Sequence, residues 1–293
     1  MKKKIKINFA DFWPDFIKTD NYFYNLLRQV YDVEISESPD FLFYSAFTNN
    51  HKKYKCLKIY YTGENRRPDF NECDYAFTFD YIDNPDHYRL PLYVMYDEPT
   101  KLIKPASFNA EDILKEKTKF CNFVFSNGRD SAKKRTDFFH ALSKYKRVDS
   151  GGKFLNNIGG PVKDKLAFIK DYKFTIAFEN ASYPGYTTEK IFQPMQVNSL
   201  PIYWGNELVD RDFNTKSFLN YHEFESMEAL IEKVIELDKN DDHYIEYVKQ
   251  PFYKNNTLNE FINPEKILKQ FDYILKNEKV PVAQAKKKRF FFF

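Results

Sequence analysis

The sequence predicts an α/β fold, because short apolar runs alternate with segments of helical periodicity. Near the N-terminus, this alternation gives strands at Lys4–Phe9 and Phe41–Phe47 on either side of a helix at Tyr22–Tyr31. Further along, the apolar strands Phe174–Phe178 and Ser199–Trp204 flank a helix at Thr187–Val197. A strand, a helix and a second strand at this spacing form a βαβ unit, in which the two strands run parallel.

The remaining elements continue this alternation. Further strands are predicted at Leu57–Tyr61, Tyr75–Phe79, Asn122–Ser126 and Arg147–Asp149. Further helices are predicted at Glu111–Lys117 and Ser131–Lys144. Apolar residues at helical spacing indicate two later helices, within residues 224–235 and 261–274. We therefore expect a first domain of residues 1–108, a second of 109–276, whose last helix could pack back on the first, and a tail of 277–293.

Composition excludes several classes of protein. The 293 residues are 43% hydrophobic and 30% charged, a mixture typical of soluble globular domains, and the net charge of +3 lacks the basicity of a nucleic-acid-binding protein. No stretch approaches the roughly 18 consecutive apolar residues of a membrane-spanning helix, and polar residues interrupt any export signal. Cys56, Cys73 and Cys121 form no disulfide or metal-binding pattern. We expect a cytoplasmic protein that does not bind nucleic acid.

Glycine is concentrated in one region of the chain. Seven of the eight glycines lie between Gly128 and Gly205, where they would permit positive φ angles or close approach of the backbone to a ligand, or would simply form ordinary turns. Neither the GxGxxG nor the GxxxxGK[ST] phosphate loop is present. Any phosphate site must therefore be built in another way.

The densest group of reactive side chains is FENASYPGYTTEKIF, residues 178–192. Glu179 and Asn180 follow a predicted strand, and Glu189 and Lys190 enter a predicted helix that Thr187 or Thr188 could cap. Ligands of open α/β sheets bind beyond the carboxyl ends of strands, and a helix N-terminus with a lysine favours a phosphate or diphosphate. The same side chains could equally do no more than cap and solvate the helix.

Two other segments carry candidate groups. In YYTGEN, residues 60–65, Glu64 lies in a glycine turn after a predicted strand. It could act as a general base if it is partly buried, or it could be an exposed carboxylate of the turn. Arg135 ends a basic run on a predicted helix, where it could hold a phosphate or face solvent. The histidines are not spaced as metal ligands. The Asp-x-Asp pattern Asp210-Arg211-Asp212 could chelate a metal with a sugar nucleotide or, since it lies in a charged turn, could be a solvated loop.

Taken together, these motifs resemble the α-1,3/4-fucosyltransferases of glycosyltransferase family ten, particularly its bacterial Helicobacter-type members. The resemblance is carried by residues 178–192 with PIYWG at 201–205, YYTGENRRPDF at 60–70, NFVFSN at 122–127 and VDSGGKFLNNIG at 148–159. It implies a GT-B fold, with two Rossmann-like domains facing across a cleft. It also implies inverting transfer of fucose from GDP-fucose to a glycan acceptor such as N-acetyllactosamine.

The resemblance further implies a role for each matched residue. Glu64 would take the proton from the acceptor hydroxyl, and Arg135 and Lys190 would hold the diphosphate as GDP leaves. The other matched donor-contacting residues are Asn180, Tyr186, Glu189 and Glu179, and Glu189 is also expected among the catalytic residues. Two cations at the diphosphate would replace a divalent ion, so no obligatory metal is expected.

The sequence leaves alternatives open for the C-terminal tail and for the function. The tail KKKRFFFF, residues 286–293, could bind an anionic membrane surface peripherally or could be a disordered end. Transfer of another nucleotide sugar and a noncatalytic sugar- or nucleotide-binding module are the alternative functions, because a fold alone does not establish function. The natural acceptor would belong to lipopolysaccharide or another surface glycan.

Overall fold

The computed structural model describes residues 2–126, 128 and 133–288, with residues 286–288 described by their backbone alone. The chain divides into two compact units. The first is formed by the chain up to Met95 together with the segment from Glu260 onward, and the second by Tyr96–Asn259. The sequence places a single division between residues 108 and 109, whereas the structure divides the chain twice and assigns the last helices to the first unit.

The first unit is built on a parallel sheet. Among its described residues, six strands pair in the order β2-β1-β3-β4-β5-β6. They are β1 Lys4–Ala10, β2 Asp32–Ile35, β3 Phe41–Tyr44, β4 Leu57–Tyr61, β5 Tyr75–Thr78 and β6 His87–Arg89. Strand β4 has the predicted bounds. Strands β2 and β6 were not predicted, because each is short, lies at a sheet edge and includes polar residues.

Aromatic packing attaches the C-terminal helices to this sheet. The helices outside the second unit are α1 Tyr22–Leu27, α2 Tyr93–Tyr96 at the junction, α9 Pro264–Lys276 and α10 Val282–Lys288. Phe271 of α9 stacks on Phe77 of β5 with ring centroids 4.8 Å apart, and Phe23 of α1 lies 5.1 Å from Phe43 of β3. Helix α9 thus completes the core of the first unit.

The second unit contains another parallel sheet. Within the described part of residues 96–259, five strands pair in the order β11-β10-β9-β7-β8. The strands are β7 Lys119–Phe123, β8 Val148–Ser150, β9 Tyr172–Phe178, β10 Leu200–Trp204 and β11 Leu219–Asn220. The helices are α3 Ala110–Glu116, α4 Lys133–Ser143, α5 Lys165–Ile169, α6 Glu189–Gln196, α7 Met227–Lys239 and α8 Asp241–Val248.

The structure confirms the α/β prediction and corrects several bounds: β3 ends at Tyr44 rather than Phe47, and α1 ends at Leu27 rather than Tyr31. Strand β7 runs through Lys119–Phe123 rather than Asn122–Ser126, because a polar residue lies inside it: the buried Asn122 side chain donates to Phe174 O at 3.1 Å and to Thr175 Oγ1 at 2.7 Å. The predicted start of α4 at Ser131 and the last tail residues, 289–293, lie outside the described residues. No helix in the described part of the chain is both long enough and apolar enough to cross a bilayer.

Candidate active site

The carboxyl end of β9 and the start of α6 bring the predicted group together. Glu179 and Asn180 directly follow β9, and Glu189 and Lys190 form the first turn of α6. Thr188 is the N-cap of α6, and its hydroxyl accepts from the backbone N–H of Lys190. This is the edge of the parallel sheet at which α/β proteins bind ligands. The predicted βαβ unit therefore brings these four residues to one sheet edge of the second unit.

Glu179 is a buried carboxylate held by the helix cap. Its exposed fraction is 0%. It accepts hydrogen bonds from the backbone N–H of Thr188 at 2.8 Å and from the Thr188 hydroxyl at 2.7 Å. Burial raises the pKa of Glu179, while Lys190 opposes that shift. The residue therefore joins the end of β9 to the start of α6 and faces no solvent.

Lys190 lies between two carboxylates. Its Nζ is 3.3 Å from Oε2 of Glu179 and 3.5 Å from Oε1 of Glu189. Burial lowers the pKa of Lys190, but the two carboxylates outweigh burial and the net pKa is raised. The ammonium group is consequently charged at neutral pH and fixed at the N-terminus of α6.

Arg135 of α4 extends the same cluster. It is 2% exposed, and its Nη2 donates to Glu179 O at 3.1 Å and to Asn180 Oδ1 at 2.9 Å. The guanidinium also lies over the Phe125 ring, 4.0 Å from its centroid. Burial lowers the pKa of Arg135 to about 10, so it too is a cation at neutral pH. In the basic run 133–135, Arg135 is the residue that the fold turns inward.

A third cation near this cluster was not predicted. Lys165, the first residue of α5, interacts electrostatically with Glu189 and Lys190, and burial lowers its pKa to about 8. Burial raises the pKa of Glu189, but the charges of Lys190 and Lys165 outweigh burial and the net pKa is lowered. Nothing in the sequence separates Lys165 from a solvated lysine, because its neighbours in the cluster are distant along the chain.

Buried polar contacts fix the loop between β9 and α6. The N–H of Gly185, whose φ is +86°, donates to Asn206 Oδ1 at 2.6 Å. The Thr187 hydroxyl donates to Asp212 Oδ2 at 2.9 Å. Tyr186, which follows Gly185, is 2% exposed. These contacts preorganise the loop that carries Tyr186 toward the cluster.

The two carboxylates of the Asp-x-Asp pattern have different partners. Asp212 is buried and accepts from Thr187, as described, whereas Asp210 lies 3.5 Å from Nζ of Lys254. Within residues 2–126, 128 and 133–285, no group of three or more His, Cys, Asp or Glu side chains is arranged to hold a metal ion. The charge available to an anion comes from the arginine and lysine side chains described above.

Gly205 is required by close packing against Glu179. A Cβ at position 205 would lie 2.4 Å from Cγ of Glu179 and 2.7 Å from the Tyr203 hydroxyl. Since real Cβ atoms do not approach so closely, a glycine here lets β10 end directly beside the buried carboxylate. The sequence analysis expects positive φ or close approach to a ligand at such glycines; Gly185 has the positive φ, whereas Gly205 is needed for packing against a side chain of the protein itself.

Glu64 belongs to the first unit and follows β4. Its backbone N–H donates to the Thr62 hydroxyl at 3.0 Å. Its side chain is exposed, so the partial burial considered from sequence is not observed within this unit. Arg67, further along the same turn, donates to Asn65 Oδ1 at 2.6 Å and pairs with Asp80 at 3.0 Å. The turn is thereby fixed while Glu64 stays accessible.

The two parallel sheets, with Arg135 and Lys190 at the carboxyl edge of the second, define a parallel α/β protein with a cationic cluster at a sheet edge. A family model described as "Alpha-(1,3)-fucosyltransferase FucT N-terminal domain" matches residues 7–96, and one described as "Glycosyltransferase family 10 (fucosyltransferase) C-term" matches residues 114–266. The chain therefore belongs to glycosyltransferase family 10, and it is a glycosyltransferase.

Individual relatives agree with this assignment. The chain is 32% identical to the α-(1,3)-fucosyltransferase FucT of Helicobacter pylori over 94% of its own length and 67% of that protein. It is 31% identical to α-(1,3)-fucosyltransferase B of Drosophila melanogaster over 44% of its length and 32% of that protein. A crystal structure of an α1,3-fucosyltransferase with GDP-fucose matches with a TM-score of 0.80 at 28% identity, covering 96% of this chain and 93% of that one.

Proposed function

We propose that this protein transfers L-fucose from GDP-fucose to a GlcNAc or Glc hydroxyl of a glycan such as N-acetyllactosamine, forming an α-1,3 linkage. The observation that carries the proposal is the meeting of Arg135 and Lys190 at the carboxyl edge of β9, with Glu189 beside them. In a related structure of 28% identity, the bound molecule is GDP-fucose. The family thus supports GDP-fucose as the donor, and the cationic cluster supports a diphosphate without selecting its sugar.

The donor would be held by charge at one end and hydrogen bonds at the other. Arg135 and Lys190 would bind the diphosphate, since a bidentate guanidinium and a lysine at a helix N-terminus both favour phosphate oxygens. Asn180 Oδ1 accepts a hydrogen bond from Arg135, so Asn180 lies beside the guanidinium that would hold the diphosphate. Glu189, with Tyr186, would contact the sugar-nucleotide hydroxyls, and Glu179 would keep Lys190 in place.

The reaction would be a single displacement with inversion. The Glu64 carboxylate accepts the proton of the acceptor hydroxyl as its oxygen bonds to the anomeric carbon of fucose. The bond from that carbon to the phosphate oxygen breaks, and GDP leaves with the electron pair. Arg135 and Lys190 stabilise the charge that develops on the diphosphate. One base and one stabilised leaving group convert β-linked fucose to α-linked fucose, so the proposal needs no enzyme nucleophile and no metal.

The biological setting is proposed on the sequence alone. Lipopolysaccharide or another surface glycan would be the natural acceptor, and the reaction would take place in the cytoplasm. The basic and aromatic residues of 286–293 support peripheral contact with the inner membrane, because each basic residue near an anionic surface contributes about 1 kcal/mol. Flotation with anionic and neutral vesicles, using the full chain and one ending at residue 285, tests this contact.

A comparison of donors tests the proposed function. Release of the nucleoside diphosphate, GDP or UDP, is measured with N-acetyllactosamine as acceptor and GDP-fucose, GDP-mannose or UDP-glucose as donor. Acceptor-dependent release from GDP-fucose alone is expected. Turnover of another donor would identify a different nucleotide-sugar transferase, and tight GDP-fucose binding without turnover on any glycan would identify a noncatalytic module.

A further inference from the structure

Two exposed aromatic rings lie at the carboxyl edge of the first sheet. Trp13 follows β1 and Phe47 follows β3, and these strands are neighbours in the sheet. Trp13 is 44% exposed and Phe47 is 47% exposed. Their ring centroids are 6.4 Å apart, with the planes inclined by 74°. Large aromatic side chains that share an exposed patch, unlike scattered ones, indicate a binding surface.

A buried carboxylate joins the segments that carry these two rings. The side chain of Asp11 accepts hydrogen bonds from the backbone N–H groups of Asn50 at 2.7 Å and His51 at 2.9 Å, and from the hydroxyl of Thr48. The backbone N–H of Phe47 donates to Asp11 O at 3.1 Å. Asp11 has a φ of +61°, a conformation rare outside glycine, asparagine and aspartate. The two loops are therefore held in one arrangement.

Other aromatic side chains of the first unit pack against the exposed rings. Phe16 lies edge-on to Trp13 with centroids 5.1 Å apart, and Phe12 stacks on Phe16 at 4.1 Å. Phe12 in turn lies 6.4 Å from Tyr61, the last residue of β4. The aromatic pair consequently rests on a fixed base instead of a flexible loop.

The Glu64 turn is attached to the same surface. Strand β4, which leads to Glu64, pairs with β3, which leads to Phe47. Nη1 of Arg66, two residues beyond Glu64, donates to Ala46 O at 3.2 Å. The aromatic pair and the candidate base are thus neighbours at one sheet edge of one unit.

From this arrangement we propose that Trp13 and Phe47 form a stacking platform for a pyranose ring of the acceptor glycan. This inference rests on the proposed transferase function and names the residues of the first unit that would hold the acceptor. A sugar ring presents C–H groups on one face and hydroxyls at its rim. The rings of Trp13 and Phe47 suit the C–H face, and Asn49, an exposed polar residue, follows two positions after Phe47. An uncharged saccharide is the ligand class that fits both features.

The test separates acceptor binding from donor binding. Trp13→Ala and Phe47→Ala are expected to raise the KM for N-acetyllactosamine roughly tenfold with little change in kcat, because a contact made equally in the ground and transition states is lost. The Kd for GDP-fucose should be unchanged. Trp13→Phe should retain most of the affinity, whereas Trp13→Leu, which keeps bulk without an aromatic face, should not. Tyr273→Ala removes another aromatic side chain of this unit, 39% exposed, and is the control.

A direct measurement of saccharide binding distinguishes failure of the aromatic platform from failure of the transferase function. Saturation-transfer NMR with N-acetyllactosamine is expected to show contacts to the sugar C–H groups that disappear in Trp13→Ala. If the wild-type chain turns over GDP-fucose with an unchanged acceptor KM in both alanine variants, the platform is wrong and the transferase function stands. If the wild-type chain binds the saccharide through Trp13 but releases no GDP, the transferase function fails and the platform stands. Absence of both signals overturns both.

Discussion

Oε2 of Glu179 lies 3.3 Å from the ammonium nitrogen of Lys190, and this carboxylate has no exposed surface. The pair joins the end of β9 to the first turn of α6. Lys190 thus balances a buried negative charge at the helix N-terminus, and in the proposed function the same ammonium binds the donor diphosphate. If that proposal is correct, stability and donor binding depend on one lysine.

Replacing Lys190 should destabilise the protein before any effect on activity is considered. We expect Lys190→Met to reduce the free energy of unfolding by about 3 to 5 kcal/mol, because it leaves the Glu179 carboxylate buried without its cation. Urea unfolding measures the change. The double variant Glu179→Gln with Lys190→Met should regain much of this loss. A single variant as stable as the wild type would show that the buried pair has no structural role.

Replacing Glu64 should affect chemistry alone. Because Glu64 is exposed in the first unit, Glu64→Gln should leave the stability and the Kd for GDP-fucose unchanged. It should lower kcat by roughly 10²- to 10⁴-fold, the usual contribution of a general base. Glu37→Gln changes another carboxylate of the same unit, with an 84% exposed side chain, and is the control. Full activity of Glu64→Gln would exclude Glu64 as the base.

A methyl group at position 205 should disturb Glu179. Gly205→Ala is expected to destabilise the protein by about 1 to 3 kcal/mol, as overpacking does, because its Cβ would fall 2.4 Å from Cγ of Glu179. It should also weaken GDP-fucose binding, since Glu179 positions Lys190. In Gly63→Ala, the new Cβ meets the flexible side chain of Leu92 at 3.0 Å, so this control should be milder. Equal thermal denaturation of Gly205→Ala and wild type would contradict this view of the packing.

The stability of the protein should decrease in mild acid because of His87. Burial, with the charge of Arg89, lowers the pKa of His87 from 6.5 to about 4. The unfolded chain therefore binds more protons between these values, so stability is complete above pH 6.5 and decreases as the pH falls to about 4. The loss at this site approaches about 3 kcal/mol. Urea unfolding at several pH values should show a shallower decrease for His87→Gln than for His140→Gln, which changes an exposed histidine.

Local pattern predicted the main elements but missed those whose stability comes from neighbours. Leu57–Tyr61 is an apolar strand bounded by polar residues, and its bounds were predicted correctly. Strand β2, Asp32–Ile35, is only partly buried and contains two carboxylates, so it has no apolar alternation to detect. Its pairing with β1 forms it. Helix α8 begins with Asp241 and Asp242 and was missed for a similar reason.

The spacing of residues along the chain predicted that the side chains of the candidate site lie together, but it did not predict their burial or their charge interactions. Glu179, Glu189 and Lys190 are close in sequence, so a strand followed by a helix brings them together. Glu179 also packs against the distant Gly205, and the distant Lys165 adds to the effect of the neighbouring Lys190 in lowering the pKa of Glu189. These partners are remote along the chain, and no local motif links them to the cluster. Sequence therefore located the cluster and left its electrostatics undetermined.

The most direct test of the proposed function is the anomeric configuration and linkage of the product. GDP-fucose and N-acetyllactosamine are incubated with the full chain in excess EDTA, and the trisaccharide is examined by NMR. An α-linked fucose on O3 of GlcNAc, formed at the same rate with and without EDTA, is the predicted result. A β-linked product would contradict inversion, and activity that returns only with added Mn²⁺ would contradict charge stabilisation by Arg135 and Lys190 alone.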